Sequence, residues 1–216
     1  MSESQSNEAL IDLLALLAYG ELQAFDRMAA DARLAPDLHR RAVLCEMAAS
    51  EIGNYRRLAD RLAALGADAE TAVEPFLDAL DTYHDRTEPK DWLEALTKAY
   101  VGDAVADDFY REVATYLDPA DRRLVLDVLH DTRHYEFAAA EIRAAIANDP
   151  KVANRLSMWA RRLVGEALSQ AQTVAAKGPA LIGLIAASAD QAGIIGLFRR
   201  LTDQHTRRMT AVGLNN

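Results

Sequence analysis

Apolar residues recur at mixed intervals of three and four near the start of the chain, at Leu10, Leu13, Leu14, Leu17, Ala24 and Met28, with the carboxylate Glu21 in the same phase. That period predicts an amphipathic helix from about Asn7 to about Arg33. The stretch LAPDLHRR stops it, because Pro36 cannot continue a helix and can sit at the start of the next. A second helix is predicted from about Asp37 to Leu65, with Gly66 as its C-terminal cap. Residues 67–90 read as a longer connection carrying a short helix near 71–83. In TEPKDW, Thr87 is the predicted cap of a third helix that runs from about Pro89 to Tyr116. In LDPADRR, Asp118 caps and Pro119 opens a fourth helix reaching about Ala147. NDPKVA repeats the device with Asp149 and Pro150 and launches a fifth helix to about Ala176. After KGPAL, a sixth covers about 180–212.

Short loops join helices one to two and three to four, so each pair is expected to be an antiparallel hairpin. A long crossover separates the pairs. The predicted fold class is therefore all-α: a ferritin-like four-helix bundle of two antiparallel hairpins over 7–148, with its crossover at 67–90 and a C-terminal helical pair at 151–212. A single domain over 1–216 is expected.

Composition agrees. Half the residues are apolar and Gly and Pro number only 10 and 6, which suits a folded helical chain. Cys45 stands alone, which rules out an intrachain disulfide and a cysteine-based zinc site. The longest apolar run, PALIGLIAASA at 179–189, is too short to cross a bilayer and reads as a buried helix. The polar, acidic N-terminus shows no signal pattern, so a cytoplasmic protein without a membrane partner is expected.

Charge is unevenly spread. Residues 1–150 carry 30 acidic and 15 basic side chains, whereas 151–216 carry 3 and 9. The pairs Arg161–Arg162, Arg199–Arg200 and Arg207–Arg208 are candidates for binding a polyanion such as tRNA. The alternative is that they neutralise acidic helices of the same chain or of a sister chain in a homodimer.

The two predicted hairpins echo each other. Ala18-Tyr19-Gly20-Glu21 in helix one matches Ala99-Tyr100-Val101-Gly102-Asp103 in helix three. Glu51-x-x-Asn54-Tyr55 in helix two matches Asp131-x-x-His134-Tyr135 in helix four. Glu21 lies 30 positions before Glu51, and Asp103 lies 28 before Asp131. In an antiparallel pair this puts each couple at one height, roughly 22 Å from its loop at about 1.5 Å of rise per residue. The i, i+3 spacing puts Asp131 and His134 on one helix face. Four helices would thus bring Glu21, Glu51, Asn54, Asp103, Asp131 and His134 to one layer. Carboxylates with Glu-x-x-His pairs are the donor pattern of di-iron bundles, and hard oxygens with imidazole suit Fe(II) and Mn(II).

Each feature also has a plainer explanation. A buried carboxylate is often paired with an arginine, and a lone histidine is more often a hydrogen-bonded core residue than a ligand. Asn54 offers a weak carbonyl oxygen where a nitrogen donor is expected, and Asp103 and Asp131 are each one methylene shorter than Glu. The layer therefore reads as a two-iron centre, a one-metal site or a metal-free polar core. Asp107, one turn beyond Asp103, is the runner-up ligand. Tyr55 and Tyr135 sit beside the proposed ligands, either as packing or as hydrogen-bond partners of the carboxylates. No nucleophile–base motif, phosphate loop or dinucleotide fingerprint appears, and no catalytic residue is assigned.

The segments LLAYGELQAFDRMA, YVGDAVADDFYREVA, DTRHYEF, WARRLVGEALSQAQ and LTDQHTRRM resemble the actinobacterial ferritin-like proteins grouped with the tRNA 2-methylthio-N6-isopentenyladenosine hydroxylases. The resemblance spans about residues 8–212. It implies a non-haem di-iron fold, oxygen-dependent hydroxylation and a modified tRNA base as substrate. It assigns Glu21, Glu51, Asp103, Asp131 and His134 to the metal layer, with Asn54 standing where relatives carry histidine. The expected function is a di-iron hydroxylase-like protein with an atypical site; the alternative is a metal-free ferritin-like scaffold acting as a homodimer or through protein partners.

Overall fold

The computed structural model describes residues 3–129, 132–188 and 191–215, and those residues contain helices and turns but no strand. The chain divides into two compact units, Met1–Asp81 with Gln172–Ser188 and Thr82–Ala171 with Ala189–Asn216.

In the first unit, α1 (Glu3–Asp31) ends in a 3₁₀ turn (Ala32–Leu34) and pairs with α2 (Leu38–Ala64). The reversal is written in local chemistry. Ala35, before Pro36, is extended as a residue preceding proline must be, and the Asp37 side chain accepts the Arg40 backbone N–H at 2.9 Å. At the far end Gly66 takes φ +77°, so that its N–H reaches the Ala63 carbonyl and that of Ala67 reaches Leu62. The short α3 (Ala69–Val73) and a 3₁₀ turn (Glu74–Phe76) lead into α4 (Leu77–Arg86). Helix α1 is buried on every side from Leu13 to Ala18, with α2, α3 and the apolar α10 (Pro179–Ser188) packed on it. Leu44, Leu58, Leu62, Phe76, Leu181 and Leu184 complete this core, each burial contributing about 1.5–3 kcal/mol.

The second unit is built on one long helix with a change of pitch inside it. α5 (Trp92–Thr97) passes into a π-helical segment (Lys98–Asp103) and on into α6 (Ala104–Ala114). The sequence echo explains the change: Ala99–Asp103 has one residue more than Ala18–Glu21, and a π turn absorbs one inserted residue without breaking the helix. Gly102 makes the turn fit, because a Cβ there would lie 2.5 Å from the Tyr83 hydroxyl. α7 (Pro119–Val128) folds back on α6, capped by Asp118 as expected. α8 (Thr132–Asn148) packs on α5 and the π segment, and α11 (Gln191–Ala211) packs on α6. Along α9 (Lys151–Lys177), Trp159 Nε1 donates to the Glu94 carbonyl at 3.0 Å.

Two expectations about elements are corrected. Thr87 is not the cap of the third helix: Asp91 is, accepting the Glu94 N–H at 3.0 Å, and the helix starts at Trp92. Thr87 is instead buried, its hydroxyl donating to Tyr83 O and its carbonyl accepting from Lys98 Nζ at 2.8 Å. The fourth helix is divided into α7 and α8, with Leu129 extended at ψ 151°. The sixth is described over α10 and α11, and residues 189–190 between them lie outside the described residues. No helix of the described residues is long and apolar enough to cross a membrane.

Candidate metal centre

The first unit holds three of the predicted ligands together. Glu21 on α1 and Glu51 on α2 are each 3% exposed, and Asn54 lies one turn beyond Glu51 on the same face of α2. The Asn54 Nδ2 donates to Glu21 Oε2 and to Glu51 Oε2, both at 3.3 Å. Carboxylate oxygens can only accept when ionised, so the amide must present its NH₂ side to this pair. One hydrogen serves each carboxylate. A buried acceptor left without a donor costs free energy, and the shared amide supplies a donor to each carboxylate. The match in height between Glu21 and Glu51 that the spacing implied is therefore present.

The tyrosine beside Glu21 does something else. Tyr19 donates its hydroxyl to Asp81 at 2.6 Å, and Gln23 Nε2 donates to the same oxygen at 2.8 Å. Burial, with Asp81 next to it, pushes the Tyr19 hydroxyl up to about 12. Tyr55 is half-buried.

The second unit holds a different arrangement. Asp107, the runner-up, is 4% exposed, because it falls on the stripe of Ala104, Val113 and Ala114 that α6 buries. Asp103, at the end of the π segment, is half-buried. Tyr135 on α8 donates to Asp107 Oδ2 at 2.6 Å. Burial first, and then the carboxylates of Asp107 and Asp103, hold that hydroxyl well above its usual range, while Arg208 pulls the other way. His134 is buried on α8. Asp131 lies outside the described residues. Among the described residues, no three His, Cys, Asp or Glu side chains converge closely enough to hold a metal ion. What does converge is a mixed set, two carboxylates and an amide, whose oxygen atoms are of the donor type that hard divalent cations take.

The basic helices are largely tied to their own unit. Arg200 forms a two-pronged pair with Glu112 at 2.7 and 2.8 Å, and Arg208 pairs with Asp108 at 2.7 Å. Arg161 donates to the Asn215 carbonyl and Arg162 to that of Arg86, while Arg199 faces Asp203 one turn away. Arg207 is exposed. A surface cavity of about 330 Å³ at the α6–α7 turn is lined by Leu117, Pro119, Arg122, Arg123, Leu126 and Asp127, and none of the predicted ligands reaches it.

One buried cation escaped the sequence reading. Lys98 is 3% exposed, lies 5.4 Å from the centre of the Tyr83 ring and anchors the π segment to Thr87. The extra Val101 in the sequence echo was the available signal that this helix carries something its partner lacks.

Comparison with known proteins gives the fold and the family. Protein 19 with aldehyde deformylating oxidase activity from Synechococcus is similar in structure, with a TM-score of 0.74 over 99% of this chain and 93% of that one. At 18% identity that likeness shows the fold alone. Among curated proteins no sequence match reaches significance. A family model described as a ferritin-like domain of actinomycetes matches residues 4–188. Matched by that model over residues 4–188, the chain belongs to the family of actinomycete ferritin-like domains.

Proposed function

We propose that this protein is a metal-dependent, oxidase-like member of its family, taking a divalent cation onto Glu21, Glu51 and Asn54. The supporting observation is the position of the Asn54 amide nitrogen, shared at 3.3 Å by two buried carboxylates on facing helices. That is where a cation would serve both. Iron is the metal the sequence resemblance implies, and that resemblance also assigns Asp103, Asp131 and His134 as donors. Bound there, iron would supply oxygen-dependent oxidation of an organic substrate, which is also in keeping with the activity named for the solved relative. The chain's own part is to hold Glu21 and Glu51 in register and to keep water out with the buried wall from Leu13 to Ala18. Tyr135 fixes Asp107 through its hydrogen bond.

The substrate is the finer part of the proposal. A modified tRNA base follows from the sequence resemblance, and RNA phosphates would compete with Glu112, Asp108 and Asp203 for Arg200, Arg208 and Arg199. Binding of tRNA that weakens steeply with salt supports that partner; binding indifferent to salt or to Arg207→Ala removes it. The expected homodimer belongs to the same proposal and is tested by sedimentation.

A second reading is favoured by the same amide: a metal-free scaffold whose polar layer is closed by hydrogen bonds. Metal content of protein from iron-supplemented cells separates the two. Iron in the natural protein that is lost in Glu51→Gln supports the metal reading. Absence of metal from the natural protein and from Asn54→His alike leaves the scaffold.

A further inference from the structure

The residue that departs from the expected donor pattern is also the one the structure places between the two buried carboxylates. Asn54 has two faces with opposite chemistry. Its NH₂ face meets Glu21 and Glu51, as a cation would. Its Oδ1 face, turned by rotation about the last side-chain bond, is a hard neutral oxygen donor. Both hydrogen bonds, at 3.3 Å, are longer than the usual N–H···O separation of about 2.9 Å. Asn54 is half-buried, on the same face as Glu51.

We propose that Asn54 sets the metal specificity of this site. It gives the α1–α2 hairpin an all-oxygen donor set that narrows the preference for iron over manganese, and its amide stands in for the cation when none is bound. The proposal rests on the metal-binding reading above and goes beyond it to the identity of the ion and the stability of the empty site. The chemistry has two parts. Among first-row divalent ions a given site normally holds iron more tightly than manganese, and imidazole nitrogen widens that gap whereas carboxylate and carbonyl oxygens suit manganese. With oxygen at position 54, the first half of the layer loses the donor that discriminates. In the metal-free protein, the two N–H groups give each buried carboxylate a donor at the point where a cation would otherwise lie.

The test is competitive equilibrium dialysis of the full-length, chelator-treated protein against equal Fe(II) and Mn(II) without oxygen, with bound metal measured by mass spectrometry. Natural protein and Asn54→His are compared, and the bound iron-to-manganese ratio is expected to be about tenfold lower in the natural protein. Equal ratios overturn the proposal. Metal in Asn54→His and none in the natural protein also overturns it, while leaving the scaffold's capacity for metal intact. No metal in either overturns both this proposal and the reading it rests on. A second variant keeps the stand-in role testable. Asn54→Asp keeps the shape but replaces the donor with a third carboxylate. Its thermal midpoint in chelator is expected several degrees below that of the natural protein, with Mn(II) raising it by more than it raises the natural protein's. An Asn54→Asp protein as stable as the natural one in chelator overturns the stand-in role.

Discussion

Gly102 and Asp12 show how single positions carry this structure. A Cβ at 102 would meet the Tyr83 hydroxyl at 2.5 Å, so Gly102→Ala forces that ring or the π turn to shift. Overpacking of this kind costs about 1–3 kcal/mol, read as a lower urea midpoint. Tyr83→Phe removes the clashing oxygen, and the double variant is expected to recover most of the loss. Equal loss with and without Tyr83→Phe would place the strain elsewhere. Asp12 on α1 is half-buried near Gly178, and burial together with Glu8 raises its carboxyl from 3.8 to about 6. The folded chain therefore binds this proton more tightly than the unfolded one. Its contribution is fully present below the unfolded value and is lost as pH rises through about 6. Asp12→Asn removes that dependence, so its thermal midpoint should gain on the natural protein between about pH 4 and pH 7. Partial exposure of the carboxyl reduces the expected gain to about 1 kcal/mol. A constant difference across that range would rule out this titration.

At the scale of elements, boundaries set by local chemistry were legible and those set by packing were not. Gly66 and Asp118 do what their sequences announce, because a cap needs only its own turn. Asp118 accepts from Ala120 and Asp121, and Asp118→Ala should cost about 1 kcal/mol in a urea titration, whereas Thr87→Ser, which keeps the hydroxyl, should cost less. Thr87 misled because a good cap residue near a proline can equally serve as an acceptor for a buried lysine eleven positions on. The division between α7 and α8 follows an extended Leu129, a residue type that gives no warning of a break. The π segment was half-legible: the sequence echo contained the inserted residue, but only the fold shows how the helix absorbs it. The pairing of Glu21 with Glu51 was readable because it needs only helical rise and a turn. The burial of Asp107 beyond the half-buried Asp103 depends on which stripe α6 presents after the π turn, and spacing alone does not give that.

For the whole molecule, the family and the fold are fixed while the chemistry turns on one pair of carboxylates. Of the paired arginines, Arg200, Arg208 and Arg199 face Glu112, Asp108 and Asp203, and Arg161 reaches a backbone carbonyl, so the basic charge of this region is partly taken up by internal pairing. The donors at the α1–α2 hairpin are what distinguish a working centre from a closed polar layer. The most direct measurement is anomalous X-ray scattering from crystals of the natural protein grown with Mn(II). A peak within coordination distance of both Glu21 and Glu51, with Asn54 turned to present Oδ1, is the expected result. At saturating metal, no peak there and an Asn54 amide still donating to both carboxylates would contradict a metal site in this protein.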